Sequence, residues 1–234
     1  MAGRAPVTGV LVRYARGGGR SPADDESLEI EEGGGFEARR TVAGARVGRF
    51  AGTLPGSTLR GLGSSIRAVA GAEDLSLPTP RDGATETIEV EGRTAQLDGN
   101  ARPPEPWKGL VTKLRRLLDE RVLESPVAAL ELSPDGTRLA HLGTEALGVD
   151  PASIAVRRVA LAPNGVPTEH RFSGATGDQA TRGTGSWIEA GTGWSITVPG
   201  DPLPAGSAGQ VWVTLRVRDG DASRLVRLFR SLGG

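Results

Sequence analysis

The stretch of residues 211–217, VWVTLRV, alternates strictly between aliphatic and other side chains. Successive side chains of a β-strand point to opposite faces, so this alternation predicts a strand with one apolar face and one mixed face. The mixed face holds the three residues that interrupt the aliphatic series: Trp212, Thr214 and Arg216. We therefore predict a half-buried strand in the C-terminal half of the chain, with Trp212 on the side away from its core.

Neighbouring stretches in the same half have similar patterns. Residues 127–132 and 137–142 flank Ser133-Pro134-Asp135-Gly136, a reverse-turn sequence in which Pro fixes φ and Gly accepts a positive φ. Residues 154–161 are β-rich, and Asp150-Pro151 before them predicts one helical turn. Short strands separated by such turns predict that residues 125–234 form a mainly β, sandwich-like domain.

The final segment, residues 222–232, carries two conflicting patterns. The preceding Asp219-Gly220-Asp221 is a hairpin-turn sequence, which predicts a strand. Apolar residues within the segment nevertheless recur at helical spacing, with arginines opposite them: Leu225, Val226, Phe229 and Leu232 against Arg224, Arg227 and Arg230. The sequence leaves a final strand and a short terminal helix both open.

The first half of the chain combines strand patterns with helical ones. Strands are predicted at residues 10–14, 27–31, 36–42, 47–54, 85–90 and 93–97. One helix is predicted over residues 59–69, capped by Ser57. A second is predicted from Glu105 to Leu123, with one apolar stripe and prolines at its start. This order predicts an α+β domain at residues 1–124, a small antiparallel sheet covered by two helices.

The composition limits the chemistry that the chain can perform. There is no cysteine, which excludes disulfides and thiolate chemistry and is consistent with a reducing cytoplasm. The formal net charge is zero and is balanced in each half, whereas nucleic-acid binders normally carry a basic excess. No stretch has the length of a membrane span or the apolar run of a secretory signal. We expect a cytoplasmic protein that binds neither nucleic acid nor membrane.

The sequence lacks recognised catalytic and cofactor motifs. Its two histidines, His141 and His170, stand outside any metal-binding spacing, and no nucleophile elbow or phosphate-binding loop is present. Gly33-Gly34-Gly35 leads from one predicted strand into another, without the helix start that would hold a pyrophosphate. We predict no catalytic residue, metal or cofactor. An enzyme whose site is assembled in space from His141 or His170 and carboxylates is kept as an alternative.

Several surface positions are candidates for contact with a partner. Tryptophan and arginine are enriched at interaction hot spots, which singles out Trp212 and Arg216. The alternative for Trp212 is that the sandwich covers both sides of its strand, or that its side chain packs under a loop. Arg20 and the acidic residues Asp24 and Asp25 lie in a polar segment between the first two strands. The acidic residues could meet a basic partner or hold a cation, and the alternative is that they form a solvated face. The Arg39-Arg40 and Arg157-Arg158 pairs are predicted to be outer-face strand residues.

The first 124 residues resemble the emfourin family of small bacterial inhibitors of protealysin-type metalloproteinases. The resemblance is carried by VLVRYARGGG at residues 10–19, TIEVEGRTAQL at residues 87–97, and PPEPWKGLVTKLRRLL at residues 103–118. It implies a small α+β inhibitor domain with a proteinase as its partner. Where the family has an aromatic residue after its Gly-Gly turn, this chain has Arg20, so no inhibitory residue is transferred from the family.

These observations favour a non-catalytic protein-binding module, in the form of a proteinase inhibitor or a regulatory partner. Residues 17–26 are the first segment expected to contact a proteinase. Because arginine, alanine and glycine dominate the composition, we expect a bacterial source with a GC-rich genome. The alternative from another class is a structural or assembly subunit of a multiprotein complex, with Trp212 and the C-terminal arginine face in a permanent interface. The partner, the oligomeric state and the packing between the domains are left open.

Overall fold

The structure is a computed structural model that describes residues 9–18, 25–42, 44–78, 84–99, 101–161, 167–173, 194–200 and 207–233. Most of these residues lie in β-strands, and two α-helices occur among them, so the fold is largely β. The chain divides into two compact units. The first comprises Met1–Arg39 and Phe50–Ser125, and the second comprises Arg40–Arg49 and Pro126–Gly234.

The first unit contains an antiparallel array of strands and both helices. Its strands are β1 (Val10–Gly18), β2 (Asp25–Glu31), β3 (Gly35–Arg40), β4 (Arg46–Thr53), β5 (Leu75–Ser76), β6 (Ala84–Val90) and β7 (Arg93–Asp98). Of β4, only the part from Phe50 onward belongs to this unit. They are ordered β4-β3-β2-β1-β6-β7-β5, and β5 runs parallel to β7. Helix α1 spans Gly56–Ala70 and helix α2 spans Trp107–Arg116. Helix α2 continues into a π-helical turn (Leu117–Arg121) and a 3₁₀ turn (Val122–Glu124), which end just before Ser125.

A buried ionic network lies within this unit. The Glu86 side chain is 1% exposed. It accepts hydrogen bonds from the Tyr14 hydroxyl at 3.0 Å and from Arg115 Nε and Nη2 at 3.0 and 2.8 Å. Burial, with the negative charge of Glu86, raises the pKa of Tyr14. Since a buried carboxylate is tolerated only when it is paired, the network fixes α2 against β1 and β6.

The second unit contains two sets of strands that contribute to one apolar core. Its strands are β8 (Pro126–Leu132), β9 (Arg138–Gly143), β10 (Gly148–Leu161), β11 (Pro167–Ser173), β12 (Ser195–Thr197), β13 (Ala208–Asp219) and β14 (Ala222–Leu232). One set is ordered β12-β9-β8 and continues to β4, whose first half belongs to this unit; the other is ordered β11-β10-β13-β14. A single hydrophobic cluster takes buried residues from both sets, among them Leu130, Leu139, Val156, Val213 and Leu228.

The final segment is a strand, which resolves the ambiguity of the sequence. Strands β13 and β14 form an antiparallel hairpin through Gly220, which has a φ of +59°. The other edge of β14 is also hydrogen-bonded, because Arg227 N–H donates to the Thr41 carbonyl at 2.7 Å and Phe229 N–H donates to the Gly44 carbonyl at 2.5 Å. Pairing on both sides therefore holds β14 in the strand conformation.

The turn predicted at Ser133-Pro134-Asp135-Gly136 is confirmed. Gly136 has a φ of +68°, and its N–H donates to the Ser133 carbonyl at 2.8 Å. The Asp135 carboxylate accepts hydrogen bonds from the Ser133 and Thr137 hydroxyls and from the Thr137 N–H. These bonds favour the ionised form and lower the pKa of Asp135 to about 2.

Three local predictions are wrong. Ser57 does not cap α1, because the helix begins at Gly56, with Pro55 at the N-cap position and no side-chain cap hydrogen bond. Asp150-Pro151 does not start a helical turn, because Gly148–Leu161 is one strand whose register with β13 shifts between Asp150 and Ala155. Within that irregularity the Asp150 carboxylate accepts a hydrogen bond from Ala152 N–H at 3.0 Å. The aspartate side chain therefore stabilises a bulge in the strand and not the start of a helical turn. The arginine pairs are not both on an outer face either, since Arg40 is 7% and Arg158 is 3% exposed. Consecutive strand residues face opposite ways, which places one member of each pair inside.

Gly48 in β4 marks a close approach between two backbones of the second unit. Its φ is +136°, a conformation that side chains other than that of glycine rarely adopt. A Cβ atom at this position would lie 2.3 Å from the Ala128 carbonyl oxygen and 2.6 Å from the Ala129 Cα. Because both neighbours are backbone atoms of β8, no side-chain rotation can relieve the overlap.

We expect Gly48→Ala to lower the free energy of unfolding by about 3 kcal/mol, through backbone strain and steric overlap. The matched control is Gly61→Ala in α1, where an added Cβ meets no atom within 4 Å. That variant should raise the free energy of unfolding by about 0.5–1 kcal/mol, because alanine is the better helix former. Urea titrations of the three proteins measure both effects. Equal stability of Gly48→Ala and the parent protein would contradict the close approach.

Candidate partner-binding face

The candidate site lies on the strands β11, β10, β13 and β14, on the face turned away from the hydrophobic cluster of the second unit. We call this the outer face. The inner face is aliphatic, since Val211, Val213 and Leu215 are fully buried. On the outer face the register aligns four residues in one row across the strands: Arg171 with Arg157, Arg157 with Trp212, and Trp212 with Phe229.

Trp212 stands at the centre of this row and contacts both neighbours. The guanidinium carbon of Arg157 lies 4.7 Å from the centroid of the Trp212 ring, a cation–π geometry. The Phe229 ring lies on the other side, with a centroid distance of 5.1 Å and a tilt of 43°. These two contacts hold the indole in place and leave it half-buried. The result is a fixed aromatic surface beside a cation.

Glu169 on β11 links the two arginines of the row. Its carboxylate accepts a hydrogen bond from Arg157 Nη2 at 2.9 Å and from Arg171 Nε at 2.7 Å. The hydrogen bond from Arg157, followed by that from Arg171, lowers the pKa of Glu169 to about 2. One carboxylate facing two guanidinium groups leaves this end of the row positively charged.

The outer face also carries exposed apolar surface. Leu161, at the end of β10, is 44% exposed and faces the same way as Arg157 by strand alternation. On β14, Leu225 is aligned with Arg216 and is partly exposed. Tryptophan and arginine are the residue types enriched at interaction hot spots, and the two leucines add apolar contact area around them.

The structure assigns different places to the five residues predicted for partner contact. Trp212 and Arg216 lie on the outer face, four positions apart on β13, and Arg216 is exposed. Asp25 begins β2 in the first unit and is paired with Gly17 of β1. Arg20 and Asp24 fall outside the described residues.

Sequence reasoning missed the neighbours of Trp212, namely Arg157, Glu169, Arg171 and Phe229. Each lies on another strand, and the pairing that brings it to Trp212 joins positions distant in the chain. Strand alternation in β10 is the one sequence pattern that could have predicted part of this arrangement, because it allows only one residue of Arg157-Arg158 to face outward. Arg158 faces inward and donates hydrogen bonds to the carbonyls of Pro199 and Gly136.

The two histidines occupy dissimilar environments in the second unit. His141 is 2% exposed, and neither ring nitrogen has a hydrogen-bond partner among the residues that the structure describes. Its ring stacks on Trp194, with a centroid distance of 5.5 Å and an interplanar angle of 12°. Burial lowers the pKa of His141. His170 is exposed and stacks on Phe172, and within the described ranges no group of three or more His, Asp or Glu side chains could hold a metal ion.

An open groove of about 460 Å³ lies on the first unit, over β2, β3 and β4. Three glutamates line it, together with Phe36: Glu29, Glu31 and Glu37. Glu37 pairs with Arg39 at 3.0 Å and Glu29 pairs with Arg13 at 3.0 Å. Two of the carboxylates are therefore neutralised within the protein, and the groove is a polar, solvated sheet face.

Comparison with family models, with curated proteins and with solved structures finds no match to this chain. Among the helices of the described residues, none is both long and apolar enough to cross a bilayer.

His141 should make the stability of the protein depend on pH. Its pKa is below 6.5 when folded and near 6.5 when unfolded, so the unfolded chain binds more protons as the pH falls through this range. We expect the free energy of unfolding to fall between pH 7.5 and about pH 5.5, and this component to be absent in His141→Leu.

Urea titrations at both pH values measure this difference. The variant His170→Gln is the control, because it removes the exposed histidine and should keep the parent's dependence. If His141→Leu and the parent lose the same free energy between the two pH values, the buried imidazole does not cause the effect.

Proposed function

We propose that the protein is a non-catalytic protein-binding module that binds another protein through the outer face. The observation that carries this proposal is the row formed by Arg171, Arg157, Trp212 and Phe229, in which a fixed indole is flanked by a cation and a second aromatic ring. Tryptophan and arginine contribute disproportionately to binding at protein interfaces.

The position of the row on regular strands supports a binding role. Strand residues are held by backbone hydrogen bonds on both sides of β13, and the Trp212 side chain is already ordered by Arg157 and Phe229. Binding to such a surface loses little conformational entropy. We infer that the two strand sets of the second unit form a sandwich that supports the face.

The specific form that we propose is a cytoplasmic inhibitor or regulatory partner of a proteinase, without a role in nucleic-acid binding. This form is supported by the resemblance of residues 1–124 to the emfourin family and by the balanced charge of the chain. We infer that the first unit is a small α+β domain whose sheet is covered by α1 and α2.

The test is whether loss of Trp212 removes a stoichiometric partner. The chain and its Trp212→Ala variant are used as baits in a lysate of the source organism, and the partner retained by the parent is purified. Its affinity for Trp212→Ala should fall about 30-fold or more, as expected for a central hot-spot residue. Isothermal titration calorimetry measures the two dissociation constants.

The control variant is Arg116→Ala on α2, which removes an arginine whose side chain is 70% exposed in the first unit. It should bind like the parent protein. Thermal unfolding of each variant shows that the fold is retained. A partner that binds Trp212→Ala as tightly as the parent would exclude the outer face as the binding surface. Light scattering of the chain alone distinguishes a monomeric module from an assembly subunit that self-associates through this face.

A further inference from the structure

The outer face has a local excess of positive charge. Strand alternation and register place five arginines on it: Arg157, Arg171, Arg216, Arg218 and Arg227. The acidic residues that the same register places there are Glu169 and Asp150, the latter aligned with Arg216. The whole chain has no net charge, so the excess is a property of this face.

Arg157 and Arg216 differ in the contacts that they make within the protein. The Arg157 guanidinium contacts both the Trp212 ring and the Glu169 carboxylate. The Arg216 side chain is exposed, and it forms no hydrogen bond or ion pair with any part of the chain that the structure describes. A carboxylate brought by a partner could therefore bind Arg216 without displacing an internal contact.

The spacing along β13 defines the shape of a suitable ligand. Trp212 and Arg216 point to the same side, four residues apart, which corresponds to roughly 13 Å along a strand. An extended segment lying over the outer face, along the direction of β13, repeats its own side chains at the same interval. Such a segment can place an apolar side chain over Trp212 and a carboxylate against Arg216, with Thr214 leaving room between them.

From this arrangement we propose that the outer face binds an extended acidic protein segment, with an apolar residue at Trp212 and a carboxylate four positions away at Arg216. The proposal rests on the proposed function and adds the chemistry of the partner. A protein segment fits better than a nucleic acid because it can place a carboxylate at Arg216 and uncharged residues elsewhere, whereas a phosphate backbone is charged at every nucleotide and would also meet Glu169 and Asp150. The exposed Leu161 could also contact an apolar side chain of a protein segment.

The probe is a synthetic peptide, GFTETETG, in which phenylalanine and two glutamates alternate with strand-favouring threonines. Matched peptides carry glutamine or lysine in place of both glutamates, and a dT oligonucleotide is the nucleic-acid arm. Chemical-shift titration of the isotope-labelled full chain gives the affinity and the residues affected. We expect the glutamate peptide to perturb Trp212, Thr214 and Arg216 and to bind about tenfold more tightly than the glutamine peptide.

Variants of the chain separate the two contacts. Arg216→Gln should weaken the affinity for the glutamate peptide about three- to tenfold and leave the affinity for the glutamine peptide unchanged. Trp212→Ala should weaken the affinity for both peptides about tenfold, because it removes the apolar contact. Arg116→Gln, on the first unit, should change neither affinity.

Several outcomes would overturn the acidic ligand. These are equal binding of the three peptides, tighter binding of the lysine peptide or of dT at this face, and no perturbation of β13 up to about 2 mM peptide, a concentration that detects dissociation constants in the millimolar range. If a native partner still depends on Trp212 while the peptides show no charge preference, the protein-binding function stands and the acidic ligand fails. If no native partner depends on Trp212, the function itself fails.

Discussion

The hydrogen-bonded register of β10, β13 and β14 is the constraint on which the candidate site depends. Strand side chains alternate with a period of two, so a slip of one residue would bury Trp212, Thr214 and Arg216 and expose the aliphatic series of β13. Burying one such aliphatic side chain contributes about 1.5–3 kcal/mol, and Val211, Val213 and Leu215 are fully buried. The core of the second unit therefore fixes the register, and the outer face follows from it.

This constraint explains which parts of the site the sequence predicts. The alternation in residues 211–217 shows which side of β13 is apolar, and hence where Trp212 and Arg216 point. The sequence of residues 222–232 does not show which side of β14 is apolar, because β14 carries apolar residues on both faces. Val226 and Leu228 are buried inside, whereas Phe229 lies against Trp212 on the outer face. An apolar series drawn from both faces has no period of two and imitates helical spacing.

The remaining neighbours of Trp212 depend on pairings that a single sequence does not encode locally. Arg157 reaches the indole because β10 lies beside β13, and Glu169 reaches Arg157 because β11 lies beside β10. Arg158 illustrates the same limit. It is buried because carbonyls of two separate turns, at Gly136 and Pro199, accept its hydrogen bonds, and neither turn is near it in the chain. An outer-face position is predicted for both Arg157 and Arg158; Arg157 has that position, whereas tertiary contacts bury Arg158.

Arg157 and Arg216 have different roles on the outer face, because Arg157 is already paired with Glu169. A carboxylate from a partner would compete at Arg157 with a carboxylate that is held permanently on the adjacent strand, and a tethered group acts at a high effective concentration. Arg157 thus serves to orient the indole through its cation–π contact, while Arg216 offers an exposed guanidinium for a new ion pair. The aromatic anchor then sets the position of the ligand, and the charge four residues away sets which ligand is accepted, since exposed ion pairs add specificity more than affinity.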